Sequence, residues 1–391
     1  MRILMVTDSF YPQVGGSETA IAMLSETLIG FGHEVGVAVM SRPQAASPSP
    51  RISFWKISSR IAGFDCKFLG KLHHLRRIIR EFRPDVMNVH FMLESGYVGV
   101  KVARKEGIPC VLTNRGKGLY NKPTNFFERI LYPFWNRGSL GADRVIATSQ
   151  EMVDLFKERY GKESLAISNG VDVQVFYPSC DGAKVREERR IRPGQRVIFC
   201  ARRLVPKNGI EYIIRAMPQI LTKHDAVLWL ASPLIRECER LKGIVKELGI
   251  ADRVSFLGSL DHRELPSYFC AADIVVQPSI AEARSLACLE AMASGSAVIA
   301  TATGGLKELI THRENGYLIE PFQVSTYAVT ECHENGVRRL ASAVDDVLSH
   351  EDLRQTMKRG ARTYAETCSW PNITRQTLTV YEETRRMHHS D

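Results

Sequence analysis

Short apolar runs alternate along the whole chain with segments whose apolar positions recur at helical spacing. In the first half the runs lie at Arg2–Thr7, 34–40, 84–90, 108–113 and 143–149. Each has the length and near-continuous apolar character of a strand buried on both faces of a parallel sheet. Helical spacing fills the intervals at about 17–31, from about Gly96, and up to about Tyr160. The pattern starts again at 197–201 and continues through 226–231, 254–257, 272–277 and 296–301, with helices opening near Gly209, just after Ser285 and after Gly304-Gly305. Strand and helix alternating in this way predict an α/β fold with two doubly wound, Rossmann-like sheets. The polar stretch 179–193 between the two series, which includes Gly182, predicts the boundary: a first domain over 1–178 and a second over 179–370.

A length of 391 residues suffices for two complete cores, and 44% hydrophobic with 24% charged residues is an ordinary globular balance. No apolar run approaches the 18 or so residues of a membrane span. The opening MRILMVTDSF has too short an apolar core and too early an acid for a signal peptide, and reads as a first buried strand. Nine cysteines, an odd number with no C-x-x-C pair, are expected to be reduced core thiols of a cytoplasmic protein. The net charge of +9 is uneven: 1–178 holds 23 Lys and Arg against 16 Asp and Glu, leaving 29 against 27 for the remainder. A basic first half suits an anionic lipid surface or an anionic acceptor, and nothing in it has the form of a nucleic-acid module. Within it, 51–83 places Leu69, Leu72, Leu75, Ile78, Ile79 and Phe82 between arginines and lysines. That is an amphipathic helix with a cationic face, most often merely solvated and sometimes laid on a membrane. The stretch 119–137 interleaves Tyr120, Phe126, Phe127, Tyr132, Phe134 and Trp135 with bases, as an interfacial patch, an acceptor wall or a helix packed on the sheet would.

The most informative stretch is 278–305, PSIAEARSLACLEAMASGSAVIATATGG. A buried strand stops at Pro278-Ser279, Glu282 lies in the loop, a helix starts after Ser285, and Glu290 sits one turn inside it. The N–H groups around Ser285, Leu286 and Ala287 have no helical partner and carry the positive end of the helix dipole, which suits a diphosphate. Glu282 would accept hydrogen bonds from sugar hydroxyls and Glu290 from a ribose. The plainer alternative is a loop acid and a solvated helix acid, and spacing alone favours it.

The same stretch resembles the Glu, seven residues, Glu signature of retaining glycosyltransferases of family 4 (glycosyl transferases group 1), including the flanking PS, E-A-M-A and GG. The resemblance implies the GT-B fold, two Rossmann-like domains facing across a cleft, with donor on the second domain and acceptor on the first. It extends to Gly15-Gly16 after the first strand, which would approach the donor diphosphate. It covers His90 at the second His of the family's D-V-V-H-V-H strand, and Arg115 where the family has the His of T-x-H-G. Ser168-Asn169-Gly170-Val171-Asp172 with Phe176-Tyr177-Pro178 resembles the linker. Arg203-Leu204-Val205 resembles the G-R-L-V, two residues, K-G motif whose cations bind the diphosphate; Asn208 stands at the lysine position, with Lys207 one residue earlier. Gly258 begins the loop flanking the base. Cys368-Ser369-Trp370 resembles the family's final helix, implying that about 371–391 packs back on the first domain. Arg284 is an extra arginine at the donor's edge. The role of 322–336 is unassigned.

The resemblance therefore implies a retaining, metal-independent transferase without cofactor, moving a sugar from a UDP-sugar, or alternatively a GDP-sugar, to an acceptor hydroxyl. Arg203, Lys207 and Glu282 are the expected catalytic group; Gly15, Gly16, Gly258, Ser285, Leu286, Ala287 and Glu290 the donor contacts; His90 and Arg115 the acceptor side. Expected partners are a lipid-linked or glycan acceptor and an anionic membrane at the inner face. The rivals are a nucleotide-sugar-binding protein without catalysis, a sugar-nucleotide epimerase of the same fold, and a nicotinamide dehydrogenase, which should show a G-x-G-x-x-G fingerprint absent here.

Overall fold

The computed structural model describes residues 1–11, 15–40, 47, 49–61, 64–65, 67–116, 126–178, 181–233, 236–322 and 332–388. The apolar runs of the sequence become strands of two parallel sheets. The chain divides into two units, Met1–Gly170 with Trp370–Asp391, and Val171–Ser369. The division therefore falls eight residues before the boundary expected at 178. Val171 and Phe176, each 1% exposed, belong to the core of the second unit with Phe199 and Phe269, and apolar burial carries this segment with them.

In the first unit the strands are β1 (Arg2–Thr7), β2 (Glu34–Met40), β3 (Ser53–Ile57), the short antiparallel pair β4 (Arg60–Ile61) and β5 (Phe64–Asp65), then β6 (Val86–His90), β7 (Cys110–Asn114), β8 (Arg144–Ala147) and β9 (Leu165–Ala166). The main sheet has the order β3-β2-β1-β6-β7-β8-β9, all neighbours parallel. Chain order reverses direction at β1, whose flanks are β2 and β6. Ligands of open parallel sheets bind beyond the carboxyl ends of the strands at such a switch. Helices α1 (Gly16–Gly30), α2 (Lys67–Phe82), α3 (Glu94–Glu106), α4 (Phe126–Ser139) and α5 (Gln150–Tyr160) accompany the sheet. Ser149 caps α5 by accepting the Met152 N–H, and Gly161 ends it at φ 60°.

The amphipathic segment does form α2, with Leu75, Ile78, Ile79 and Phe82 buried. Two of its cations are engaged by α3: Lys71 with Glu94 at 2.6 Å and Arg76 with Glu106 at 2.9 Å. The expected cationic face is thus smaller than the sequence suggested, with Arg77 and Arg80 exposed. In α4, the Phe134 ring lies tilted against Tyr97 with centroids 4.6 Å apart, yet stays 55% exposed, as does Ile130 at 57%. Lys117, Gly118, Tyr120, the side chains of Phe126 and Phe127, and residues 323–331 lie outside the described residues.

The second unit contains β10 (Arg196–Ala201), β11 (Ala226–Ala231), β12 (Val254–Gly258), β13 (Ile274–Gln277), β14 (Val298–Thr301) and β15 (Tyr317–Ile319), in the order β12-β11-β10-β13-β14-β15. Its switch lies at β10, which pairs in parallel with β11 on one side and β13 on the other. The helices are α6 (Gly182–Glu188), α7 (Ile210–Leu221), α8 (Arg236–Glu247), α9 (Leu265–Ala271), α10 (Leu286–Ala293), α11 (Leu306–Leu309), α12 (Glu334–Ser349) and α13 (Glu351–Thr367). The last helix, α14 (Trp370–His388), returns to the first unit, where Trp370, Ile373, Val380 and Tyr381 join the core of Ile3, Met5, Leu24 and Val111. Among the described residues no helix is long and apolar enough to cross a membrane.

Cys110, Cys200, Cys238, Cys288, Cys332 and Cys368 are free thiols, and burial pushes Cys200 and Cys288 up to about 12. Cys270 is disulfide-bonded, so the expectation of reduced cysteines throughout is corrected at that position. Such a bond joins residues that only the fold brings within range, and spacing does not reveal it.

Candidate functional site

The loop that follows β13 is clamped from both sides, which fixes where its side chains go. The Lys207 carbonyl accepts the N–H groups of Ile280 at 2.8 Å and Ala281 at 3.3 Å. From the other side the hydroxyls of Thr301 and Thr303 donate to the carbonyls of Ser279 at 2.5 Å and Ile280 at 3.1 Å. The Gly305 N–H donates to the Glu282 carbonyl at 3.2 Å. Two glycines allow this closeness. At Gly209 (φ 65°) a Cβ would lie 1.9 Å from the Pro278 carbonyl oxygen, and at Gly304 (φ 51°) 1.6 Å from that of Glu282.

The clamped loop presents Glu282 to Arg202. The Arg202 guanidinium pairs with Glu282 Oε2, and also donates to Ser279 Oγ at 2.9 Å, Asn208 Oδ1 at 2.9 Å and Ser285 Oγ at 2.7 Å. Its Nε is buried with no hydrogen-bond partner. Burial acts to raise the Glu282 pKa, but the Arg202 charge and hydrogen bond, the Lys207 charge and the Arg284 backbone N–H outweigh it and hold the carboxyl below its ordinary value. Glu282 is therefore an ionised acceptor at neutral pH.

Arg202 makes these contacts, while Arg203, expected at the donor diphosphate, stands next to it in the chain. Successive residues leaving a strand point to opposite sides. At the end of β10 that alternation turns Arg202 to the loop and leaves Arg203 exposed, with no ion pair among the described residues. The doubled arginine was visible in sequence; which of the two faces inward was not. Lys207 is exposed, and its charge reaches Glu282. Arg284 is not at the open edge: its Nη1 pairs with Glu308 at 3.1 Å and its Nη2 donates to the Tyr364 hydroxyl at 3.2 Å.

Ser285 caps α10, its Oγ accepting the Cys288 N–H at 3.2 Å. The N–H groups of Leu286 and Ala287 in the first turn have no intrahelical acceptor. Cation and helix start thus lie side by side, a setting that attracts an anion. Glu290, one turn on, is 5% exposed, so it is not a solvated helix acid. Its Oε1 meets His262 Nε2 at 3.0 Å, a partner missed by sequence reasoning because it lies 28 positions away on the loop after β12. That hydrogen bond raises the His262 pKa; burial opposes it, and the charges of Glu290, Asp261 and Asp172 add to it. Gly258 ends β12 at φ 76° with open space where a Cβ would stand.

In the first unit, Gly15 caps α1, and Glu18 occupies the first turn, 4% exposed, with the Ser9 hydroxyl donating to its Oε1 at 2.5 Å. Gly16 is the first helical residue. His90, fully buried at the end of β6, faces Met5 Sδ at 3.3 Å. Burial, with the nearby Arg115 charge, holds its pKa well below the usual imidazole range, so it is neutral. Arg115 follows β7, donates to the Asn169 side-chain oxygen, and has its pKa lowered by burial to about 10. Asn88 joins the group, donating to the Tyr381 hydroxyl and accepting from Thr113 Oγ1 at 2.8 Å.

Two family profiles match the chain: Glycosyltransferase Family 4 over residues 14–175 and Glycosyl transferases group 1 over residues 181–364. An uncharacterized glycosyltransferase of Methanocaldococcus jannaschii is 28% identical, over 98% of this chain and 98% of that protein. A D-inositol 3-phosphate glycosyltransferase of Paenarthrobacter aurescens is 27% identical, over 94% of this chain and 93% of its own. Among solved structures, Anabaena HepE in complex with UDP-glucose superposes with a TM-score of 0.79 at 20% identity, covering 98% of this chain and 100% of that one.

Proposed function

The chain belongs to the family 4 glycosyltransferases (glycosyl transferases group 1) with the GT-B fold, and on that premise we propose that it transfers a sugar, with retained configuration, from a nucleoside-diphosphate sugar to an acceptor hydroxyl. The observation that carries the reading is the cluster at the β10 and β13 ends. There, Arg202, ionised Glu282 and the open N–H groups of α10 adjoin one another.

In the reaction the anomeric carbon–oxygen bond to the diphosphate breaks, the acceptor oxygen forms the new bond, and its proton departs with the diphosphate. Negative charge grows on the leaving group. Arg202, with Lys207, the start of α10 and the exposed Arg203 of the family motif, is proposed to stabilise it, and no metal is required. A carboxylate offers about four lone-pair positions, so the Glu282 bond to Arg202 leaves acceptor capacity for sugar hydroxyls. Glu290, held by His262, receives the ribose hydroxyls, and the loop after Gly258 flanks the base. Uridine is the proposed base; the UDP-glucose complex of HepE supports that choice. The basic first half supports a lipid-linked or glycan acceptor of envelope polysaccharide or glycolipid synthesis. Exposed Leu69, Ile130 and Phe134 with Arg77 and Arg80 support peripheral contact with an anionic membrane.

The test is thermal stabilisation by uridine, guanosine and adenosine diphosphate sugars in chelator and then in magnesium, followed by transfer assays across an acceptor panel. The expected result is one stabilising base class, unaffected by chelator, with turnover. No stabilisation by any donor would end the reading. Stabilisation without turnover would reduce it to donor binding, and donor conversion without acceptor would make the protein an epimerase.

A further inference from the structure

In the first unit, the carboxyl ends of β6 and β7 gather an unusual set of polar groups. Arg115 is half-buried, and Asn169 is its one side-chain partner; among the described residues no carboxylate pairs with it. Its Nε is buried without a hydrogen-bond partner. Next to it, Asn114 is fully buried; its Oδ1 accepts the Gly116 N–H at 2.8 Å while its Nδ2 has no partner. His90, close enough for the arginine's charge to depress its pKa, is neutral and has an unpartnered Nδ1. Three more deeply buried guanidinium groups each have a carboxylate: Arg202 has Glu282, Arg284 has Glu308, and Arg354 has Glu351.

Taking a cation out of water without an opposite charge is costly, and buried donors left unpaired are rare. A site that keeps such a cation with orphaned donors around it is built for an anion that arrives from outside. It stands beyond the carboxyl ends of a parallel sheet, the side on which ligands of such sheets bind, at β7, two strands from the switch at β1. A guanidinium fork with a neighbouring amide N–H matches the oxygens of a phosphoryl group better than those of a neutral sugar hydroxyl. We propose that Arg115, steered by Asn169 and supported by Asn114, seats a phosphoryl group carried by the acceptor. This deepens the transferase reading and rests on it: the acceptor is a phosphate ester whose charge is held in the first unit. Its source is either a soluble phosphorylated polyol or sugar, or a phospholipid headgroup.

The experiment measures thermal midpoints of the full chain in inorganic phosphate at constant ionic strength, against acetate and chloride, with the donor site saturated by UDP. The wild type is expected to be stabilised by phosphate and not by acetate or chloride. Arg115→Gln should weaken that phosphate response about tenfold or more. Arg115→Lys, which keeps the charge and loses the fork, should retain a weaker response. In phosphate-free buffer Arg115→Gln should be at least as stable as the wild type, because an uncompensated charge has been removed; a merely structural arginine would give a loss. Equal phosphate responses in wild type and Arg115→Gln, or none in the wild type, would overturn the proposal. UDP stabilisation is read in the same variants, so a failure of the donor reading shows separately as no UDP response anywhere. Transfer to a soluble sugar phosphate, compared with transfer to vesicles containing phosphatidylinositol, then separates the two sources.

Discussion

Arg202 and Glu282, 80 positions apart in the sequence, meet as an ion pair at the carboxyl ends of the adjacent strands β10 and β13. The pair is largely shielded, with side-chain exposures of 9% and 17%, and the arginine's remaining donors reach Ser279, Asn208 and the α10 cap Ser285. One guanidinium thereby ties together the loop after β13, the turn after β10 and the start of α10. The donor chemistry proposed for the second unit is organised around it.

Arg202→Gln should destabilise the protein by about 2–4 kcal/mol, because it leaves a buried carboxylate without its cation. It should also lower kcat by about 10²–10³ through weaker stabilisation of the departing diphosphate. Arg203→Gln, at an exposed position, should cost within about 0.5 kcal/mol of stability. Urea titration and initial rates on both variants check the assignment; larger losses at Arg203 would reverse it.

The His262–Glu290 contact makes stability depend on pH with a definite sign. The folded His262 pKa is raised, so its contribution is complete below the ordinary imidazole value of about 6.5 and fades as pH rises through the higher folded value. Because His262 is 45% exposed, the effect should be about 0.5–1 kcal/mol, screened by salt. His262→Gln should flatten the stability profile of the second unit from about pH 6.5 upward. NMR titration of the ring checks the direction.

Glu282 gives the opposite limb. Its folded pKa is depressed, so its stabilisation is present above the ordinary carboxyl range and disappears as pH falls through the folded value. Glu282→Gln should therefore reduce the acid dependence of the midpoint below about pH 4.5. At neutral pH it should abolish most activity while the circular dichroism spectrum is retained. Full activity in that variant would remove Glu282 from the site.

Gly304→Ala tests the clamp on the loop. It combines a left-handed backbone with a Cβ only 1.6 Å from the Glu282 carbonyl oxygen, and should cost more than about 3 kcal/mol. Gly194→Ala is the control, since its φ of 79° carries the same backbone strain with open space around the Cβ; about 1–2 kcal/mol is expected. Chemical denaturation of both separates steric clash from backbone strain.

Much of this arrangement is written locally in the chain. Strands buried on both faces need unbroken apolar runs, so RILMVT and IVVQ were legible as inner strands without any partner in view. The order of Pro278-Ser279, Glu282, Ser285 and Glu290 fixed a strand end, a loop acid, a cap and an acid one turn inside the helix, because each depends on neighbours within a few residues. Tertiary structure decided which cation meets Glu282, since alternation at a strand end is resolved only when the facing loop is in place. It also decided the burial of Glu290 against His262, the engagement of Arg284 with Glu308, and the Asn88–Tyr381 contact across 293 positions. Those outcomes depend on desolvation and on which charges come within a few ångströms of each other. Both are properties of packed elements distant in sequence, and no local pattern carries them.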